Sequence, residues 1–241
     1  MNTLSLSFFT DLGEKFYDSF INKGRWQYIV NGLGLTLLIT LVAVIIGIIL
    51  GTIIALIKVG HANNPKKLRI SNAICSVYLT VIRGTPIVVQ LLIVYFIVLL
   101  PFTNDNLNLI ACFIAFGVNS GAYVAEVIRS GIQSVDHGQI EAGRSLGLSQ
   151  RTTMIKIVFP QALKNVLPAI GNEFIALLKE TAIAGYIGVQ DMTKGGDIIR
   201  SITYDPYTSL LTVAAIYLII VMGFSFLQSR LERRLRKSDH R

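Results

Sequence analysis

Residues 70–104 read ISNAICSVYLTVIRGTPIVVQLLIVYFIVLLPFTN, an apolar stretch with one charge, Arg83, next to Gly84, Thr85 and Pro86. How this stretch is counted decides the topology of the whole chain. Pro86 has no amide hydrogen and steers Thr85 away from helical geometry, so a helix must break or kink there. Split into two crossings, the first piece would be only the 13 residues 70–82, whereas a membrane-spanning helix takes about 20. Counted as one broken span, it is the second of five. Working outward, span one is residues 26–57, uncharged between Arg25 and Lys58. Span three is 106–128, uncharged as far as Glu126. Span four, 167–190, carries Glu173, Lys179 and Glu180, and span five, 206–229, is uncharged again.

The positive residues give an independent test, because cytoplasmic loops are enriched in Lys and Arg. With five spans, one side receives Lys58, Lys66, Lys67 and Arg69. It also receives five positive residues from Arg129 to Lys164 and six from Arg230 to Arg241, 15 in all. The other side receives five: Lys15, Lys23, Arg25, Lys194 and Arg200. Splitting the second stretch would spoil this asymmetry. The expected chain is therefore a single 241-residue membrane domain with the N-terminus outside and the C-terminus in the cytoplasm.

Composition agrees. Hydrophobic residues make up 52% of the chain and charged ones 15%, against roughly 25% charged in soluble domains. The net charge of +8 is then an orientation signal, helped by contact with anionic lipid. It does not mark a nucleic-acid surface, since the basic tail 230–241 has no aromatic residue for stacking. Two cysteines in apolar runs and three scattered histidines make neither a disulfide framework nor a metal site. Ahead of span one, residues 5–24 repeat Phe8, Leu12, Phe16 and Phe20 at helical spacing among charges. They read as an outer interfacial helix and not as a cleaved leader.

The longest cytoplasmic loop, 130–166, is the most informative segment. Asp136 and Gln139 have the spacing of a capping box, which starts a short helix that Gly147 ends. Ser149 caps a second helix, 150–158, closed by Pro160. Two short helices around a glycine turn make a protruding knob, or an ordinary solvated loop; periodicity does not separate the two.

The letters in the loop point further. Glu141-Ala142-Gly143 is followed after three residues by Gly147, and after nine more by Ile157-Val158-Phe159-Pro160. This resembles the EAA loop of ABC importer permease subunits: Glu-Ala-Ala, three residues, Gly, nine residues, Ile-x-Leu-Pro. Gly143 and Phe159 depart from the pattern, and Gly143 should loosen the first helix. Residues 160–168 and 171–181 are similar to the polar amino acid branch of that family. So are Arg83-Gly84-Thr85-Pro86 with Val89 and Gln90, and the run 123–131.

The resemblance implies an all-α polytopic membrane protein with the type I ABC importer permease fold, in the cytoplasmic membrane of a prokaryote. It implies that Glu141, Ala142, Gly143, Arg144, Gly147, Ile157 and Pro160 belong to the element that couples to a cytoplasmic ABC ATPase dimer. Its other implied partners are a second permease subunit, identical or not, an extracellular solute-binding protein, and a polar amino acid as substrate. The sequence agrees on energy: it contains no Gly-x-x-x-x-Gly-Lys-Ser/Thr loop. ATP and Mg would be used by the partner, and this chain would bind no cofactor and catalyse nothing. A basic substrate such as arginine or histidine is a modest preference, because Glu126, Glu173 and Glu180 could face a cation.

Polar residues at membrane depth have two readings each, since such groups either line a pathway or pair with one another. Arg83 is a pathway residue or the ion partner of Glu126. Thr85 and Gln90 line the pathway or satisfy backbone freed by Pro86, the second being favoured. Asn119, Tyr123 and Glu126 share one face of span three. Asn119 falls near mid-membrane, where a substrate would sit, while Glu126 reads better as a partner of Arg129. Glu180 shares a face with Glu173, at a subunit interface or on the pathway. The competing functions are an autonomous channel or secondary transporter, which would leave the knob without a role, and a membrane enzyme, for which no catalytic arrangement is recognisable.

Overall fold

The computed structural model describes residues 13–102 and 106–236, and every regular element among them is helical. Helix α1 is Trp26–Asn63, α2 is Arg69–Gly84 and α3 is Ile87–Ile93, which continues through a π-helical segment Val94–Leu99. Helix α4 is Leu107–Gln133, α5 is His137–Ser145 and α6 is Gln150–Thr153. Helix α7 is Phe159–Glu180, α8 is Met192–Thr203 and α9 is Pro206–Arg236. By length and apolarity α1, α4 and α9 qualify as membrane-crossing, and the broken pair α2–α3 makes a fourth if counted as one span. Helix α7 carries Lys164, Glu173, Lys179 and Glu180 and does not qualify on composition.

The break at Pro86 lies where the sequence puts it. Thr85 is extended (φ −123°, ψ 145°) and the chain bends by 110° between α2 and α3, so the second stretch is an elbow and not a gently kinked rod. Gln90, buried in α3 beyond the corner, clamps it: its Nε2 donates to the Ile82 carbonyl (2.8 Å), the Thr85 carbonyl (3.1 Å) and Thr85 Oγ1 (2.9 Å).

Helices α1 and α4 share the most extensive contact in the fold. Their backbones meet at small residues: a Cβ added at Gly47 would fall 2.5 Å from Ser120 Oγ, and one at Gly51 would fall 2.7 Å from Val124 Cβ. Close approach of this kind replaces the hydrophobic driving force that helices lack in lipid. Around that seam Ile39, Leu91, Phe116 and Leu177 are wholly buried, so α1, α3, α4 and α7 share one core. Phe20, Ile29, Met192, Ile199 and Val213 form a smaller cluster at the end of the molecule where α8 lies.

Three boundaries differ from expectation. Pro160 does not close a second loop helix. The chain runs from α6 through a π-helical segment, Met154–Val158, directly into α7, with Pro160 in its first turn, where a missing amide costs little. The fourth stretch therefore starts at Phe159 and not at 167, and after Glu180 it tightens into a 3₁₀ segment, Thr181–Ile187. The interfacial helix is only partly covered, because Phe8 and Leu12 lie outside the described residues. Nearer to α1 the chain forms a π-helical segment, Tyr17–Ile21, and a 3₁₀ turn with Lys23 at φ +63°. Phe20 is buried there while Phe16, Tyr17 and Ile21 are exposed.

Candidate coupling loop and polar cleft

Between α4 and α7 the chain builds a compact projection. Asp136 caps α5 by accepting from the Gly138 amide at 2.7 Å. The reciprocal half of the capping box is absent, because the Gln139 side chain turns instead to Gln161, whose Nε2 donates to Gln139 Oε1 at 2.5 Å. That bond ties α5 to the first turn of α7. At the other end Gly147 has φ +83°, its amide donates to the Arg144 carbonyl and the Leu148 amide to the Gly143 carbonyl. This is a Schellman stop, which satisfies two carbonyls of the last turn and needs a left-handed residue. Ser149 then caps α6, accepting from the Thr152 amide at 3.1 Å.

The side chains sort by face. Gly143 is buried, whereas Glu141, Ala142, Arg144 and Leu146 are exposed. A Cβ at Gly143 would lie 2.9 Å from Ile157 Cδ1, so the glycine expected to loosen the helix lets α5 close onto the π-helical segment. Pro160 is exposed and Ile157 half-buried. Val135, Val158 and Ala162 are buried beneath the projection, and Asn165 Nδ2 reaches back to Ser134 Oγ at 2.8 Å. The result is a braced helix with one free face carrying Glu141, Arg144 and Leu146.

A second feature is a cleft of about 600 Å³ between α1, α2 and α4, lined by Lys58, Ser76, Arg83, Tyr123 and Glu126 among others. It brings together three of the six candidate pathway residues. Arg83 does not pair with Glu126; its guanidinium lies 5.7 Å from the centroid of the Tyr123 ring, a cation–π arrangement. Glu126 is held by Arg129, Nη2 to Oε2 at 2.5 Å. Thr85 lies outside the cleft, within the elbow. Asn119 is buried and donates through Nδ2 to Gln90 Oε1 at 3.1 Å, so it extends the clamp on the elbow instead of facing open space. Glu180 sits half-buried at the end of α7, outside the cleft lining.

Periodicity gives no sign of two other participants. Lys58 Nζ donates to Ser76 Oγ at 2.9 Å, 18 residues away. The Tyr78 hydroxyl donates to the Val118 carbonyl, 40 residues away, and locks α2 to α4. At the opposite end Asp191 caps α8, accepting from the Thr193 and Lys194 amides. The Lys194 ammonium and the Arg200 guanidinium beside Asp197 hold its carboxyl below the usual carboxylate range.

Residues 47–237 match the family described as binding-protein-dependent transport system inner membrane component. The chain belongs to that family. It is 39% identical over 212 residues to a putative glutamine transport system permease protein GlnP of Rickettsia bellii, covering 86% of this chain and 93% of that protein. It is also 39% identical over 214 residues to the arginine transport system permease protein ArtQ of Bacillus subtilis, covering 88% and 94%. In three dimensions it is similar to a chain from the crystal structure of an amino acid ABC transporter with histidines, with TM-score 0.77, 42% identity and coverage of 97% and 99%. An inward-facing MetNI methionine ABC transporter shares the fold, with TM-score 0.73 at 22% identity and coverage of 88% and 98%. This inner membrane component is thus an all-α permease subunit of an amino acid ABC transporter. As in its family at large, its transport is binding-protein-dependent.

Proposed function

We propose that the chain forms, with a second permease subunit, the translocation pathway for a polar amino acid, driven by ATP hydrolysis in a separate cytoplasmic ATPase dimer. In this reading the chain crosses five times, with α7 as the fourth span, and the end bearing α5 faces the cytoplasm. The observation that carries the proposal is the braced projection. Helix α5 is capped at both ends, tied to α7 by Gln139 and Gln161, and exposes Glu141, Arg144 and Leu146. A stiff helix with a free face, tied by its side chains to a membrane helix, suits the passing of an ATPase's closing motion into the bilayer. A solvated loop would not need the bracing. The α8 end, with Lys194, faces outward in this reading and receives the solute-binding protein.

The relatives named for glutamine and arginine support a polar amino acid. The preference for a basic one rests on acidic groups, and Arg129 already neutralises Glu126, so that preference leans on Glu173 and Glu180. The test is uptake into vesicles holding this chain, its ATPase and its binding protein. Gly147→Val places a β-branched residue at φ +83°, at a cost of about 1–2 kcal/mol, outside the bilayer. Glu141→Lys reverses a charge on the free face. Each variant should keep its folded spans while ATP-driven uptake falls at least roughly tenfold, the equivalent of about 1.4 kcal/mol in coupling. Tight ATPase association with normal uptake in both variants would remove α5 as the coupling element.

A further inference from the structure

A second cleft, of about 470 Å³ and sharing Lys58 with the first, opens where the end of α1, the start of α2 and the end of α4 meet the α5–α6 projection. Part of its wall is apolar, from residues such as Val59, Ile132 and Met154. Lys58, His61, Arg129 and His137 also line it, and no lining residue is acidic. Lys58 is the first charge after the uncharged run of α1, so the cleft lies at the polar end of that run.

Among the described residues Lys58 is the unpaired cation of this cleft, and Arg129, whose charge is matched by Glu126, still has N–H groups to donate. Lys58 Nζ donates to the neutral Ser76 hydroxyl and takes part in no ion pair among the described residues. Arg129 uses three of its N–H groups on Glu126 and Gln133, and a guanidinium has five. His61 is held by the Lys67 carbonyl at 2.9 Å, which ties the loop carrying Lys66 and Lys67 to the edge of the cleft.

We propose that this cleft binds an anionic phospholipid, its phosphate against Lys58, the free N–H groups of Arg129 and the His137 imidazole, and its upper acyl chain along the apolar wall. Charge complementarity selects an anion. The apolar wall and the place of the cleft at the end of an apolar run select an amphiphile over a soluble ion, and basic pockets at a cytoplasmic leaflet gain from its negative potential. A lipid seated there touches both α1 and the α5–α6 projection, whose His137 and the adjoining Met154 line the same space.

The experiment places the complete permease in nanodiscs with a photoactivatable phosphatidylglycerol or a phosphatidylcholine of identical chains, and maps the crosslinks by mass spectrometry. The phosphatidylglycerol probe should label residues 58–63 and 129–140 at least roughly fivefold more than the choline probe, the gain expected of one surface cation. Lys58→Gln and His137→Gln should each lower that excess, and excess inorganic phosphate should leave it unchanged. Equal labelling by the two probes in the unaltered chain overturns the proposal without reference to any variant. Displacement by inorganic phosphate would make it a small-anion site instead, and loss of labelling when the ATPase is added would assign the surface to that partner. Both outcomes overturn the lipid reading.

Discussion

At the scale of single residues, the polar groups expected to touch substrate divide by what already holds them. In sequence Asn119 reads as a mid-membrane amide open to a substrate, and the fold gives its donor to Gln90 Oε1 at 3.1 Å. Gln90 in turn spends its own donors on the carbonyls and hydroxyl around Pro86. Asn119→Leu therefore strands a buried acceptor, which costs about 1–3 kcal/mol. The purified variant should lose thermal stability and transport together, and Asn119→Asp, which removes the donor but keeps the shape, should do the same. Loss of transport with an unchanged melting midpoint would return Asn119 to the substrate. The favoured sequence reading of Thr85 and Gln90, as satisfiers of freed backbone, matches the geometry. Glu126 with Arg129 was legible too, being three residues apart on one helix. The contact of Arg83 with Tyr123 was not legible, because nothing in either local pattern tells which groups two helices turn toward one another.

At the scale of elements, the uncharged runs at α1, α4 and α9 could be read directly, since apolarity over about 20 residues has few other meanings. The loop helix α5 was legible for a different reason: Asp136, Gly147 and Ser149 are local stop and start signals whose geometry depends only on neighbours. The end of α6 was not legible. Pro160 reads as a terminator from its own chemistry, but the preceding π-helical segment and the first-turn position let the helix continue. Gly47 and Gly51 of α1 lie on the seam with α4. A Cβ at Gly51 would lie 2.7 Å from Val124 Cβ and 2.8 Å from the Ala125 amide nitrogen, and backbone cannot step aside as a side chain can. Gly51→Val should cost about 1–3 kcal/mol or more by overpacking, read as a lower melting midpoint in detergent. Gly34→Val is the control, since nothing lies within 4 Å of an added Cβ there.

At the scale of the whole molecule, the proposed orientation places the α5 end in the cytoplasm on the strength of the charge asymmetry, and labelling checks it directly. Cys75 and Cys112 are buried, so impermeant thiol reagents should report only introduced cysteines. Cysteines at Asn63 and Ser238 should label from the cytoplasmic side alone, and one at Lys194 from outside alone. Labelling of Asn63 and Ser238 from opposite faces would break the five-span arrangement. The span that first set this count has a mechanical property of its own. Helices α2 and α3 form a cornered pair bent by 110°, riveted at the joint by the Gln90 side chain and pinned to α4 by Tyr78 and Asn119. Such a pair is a bent lever with a stiffened joint: a displacement at the charged end of α2 is carried round the corner to α3 instead of being absorbed at the bend.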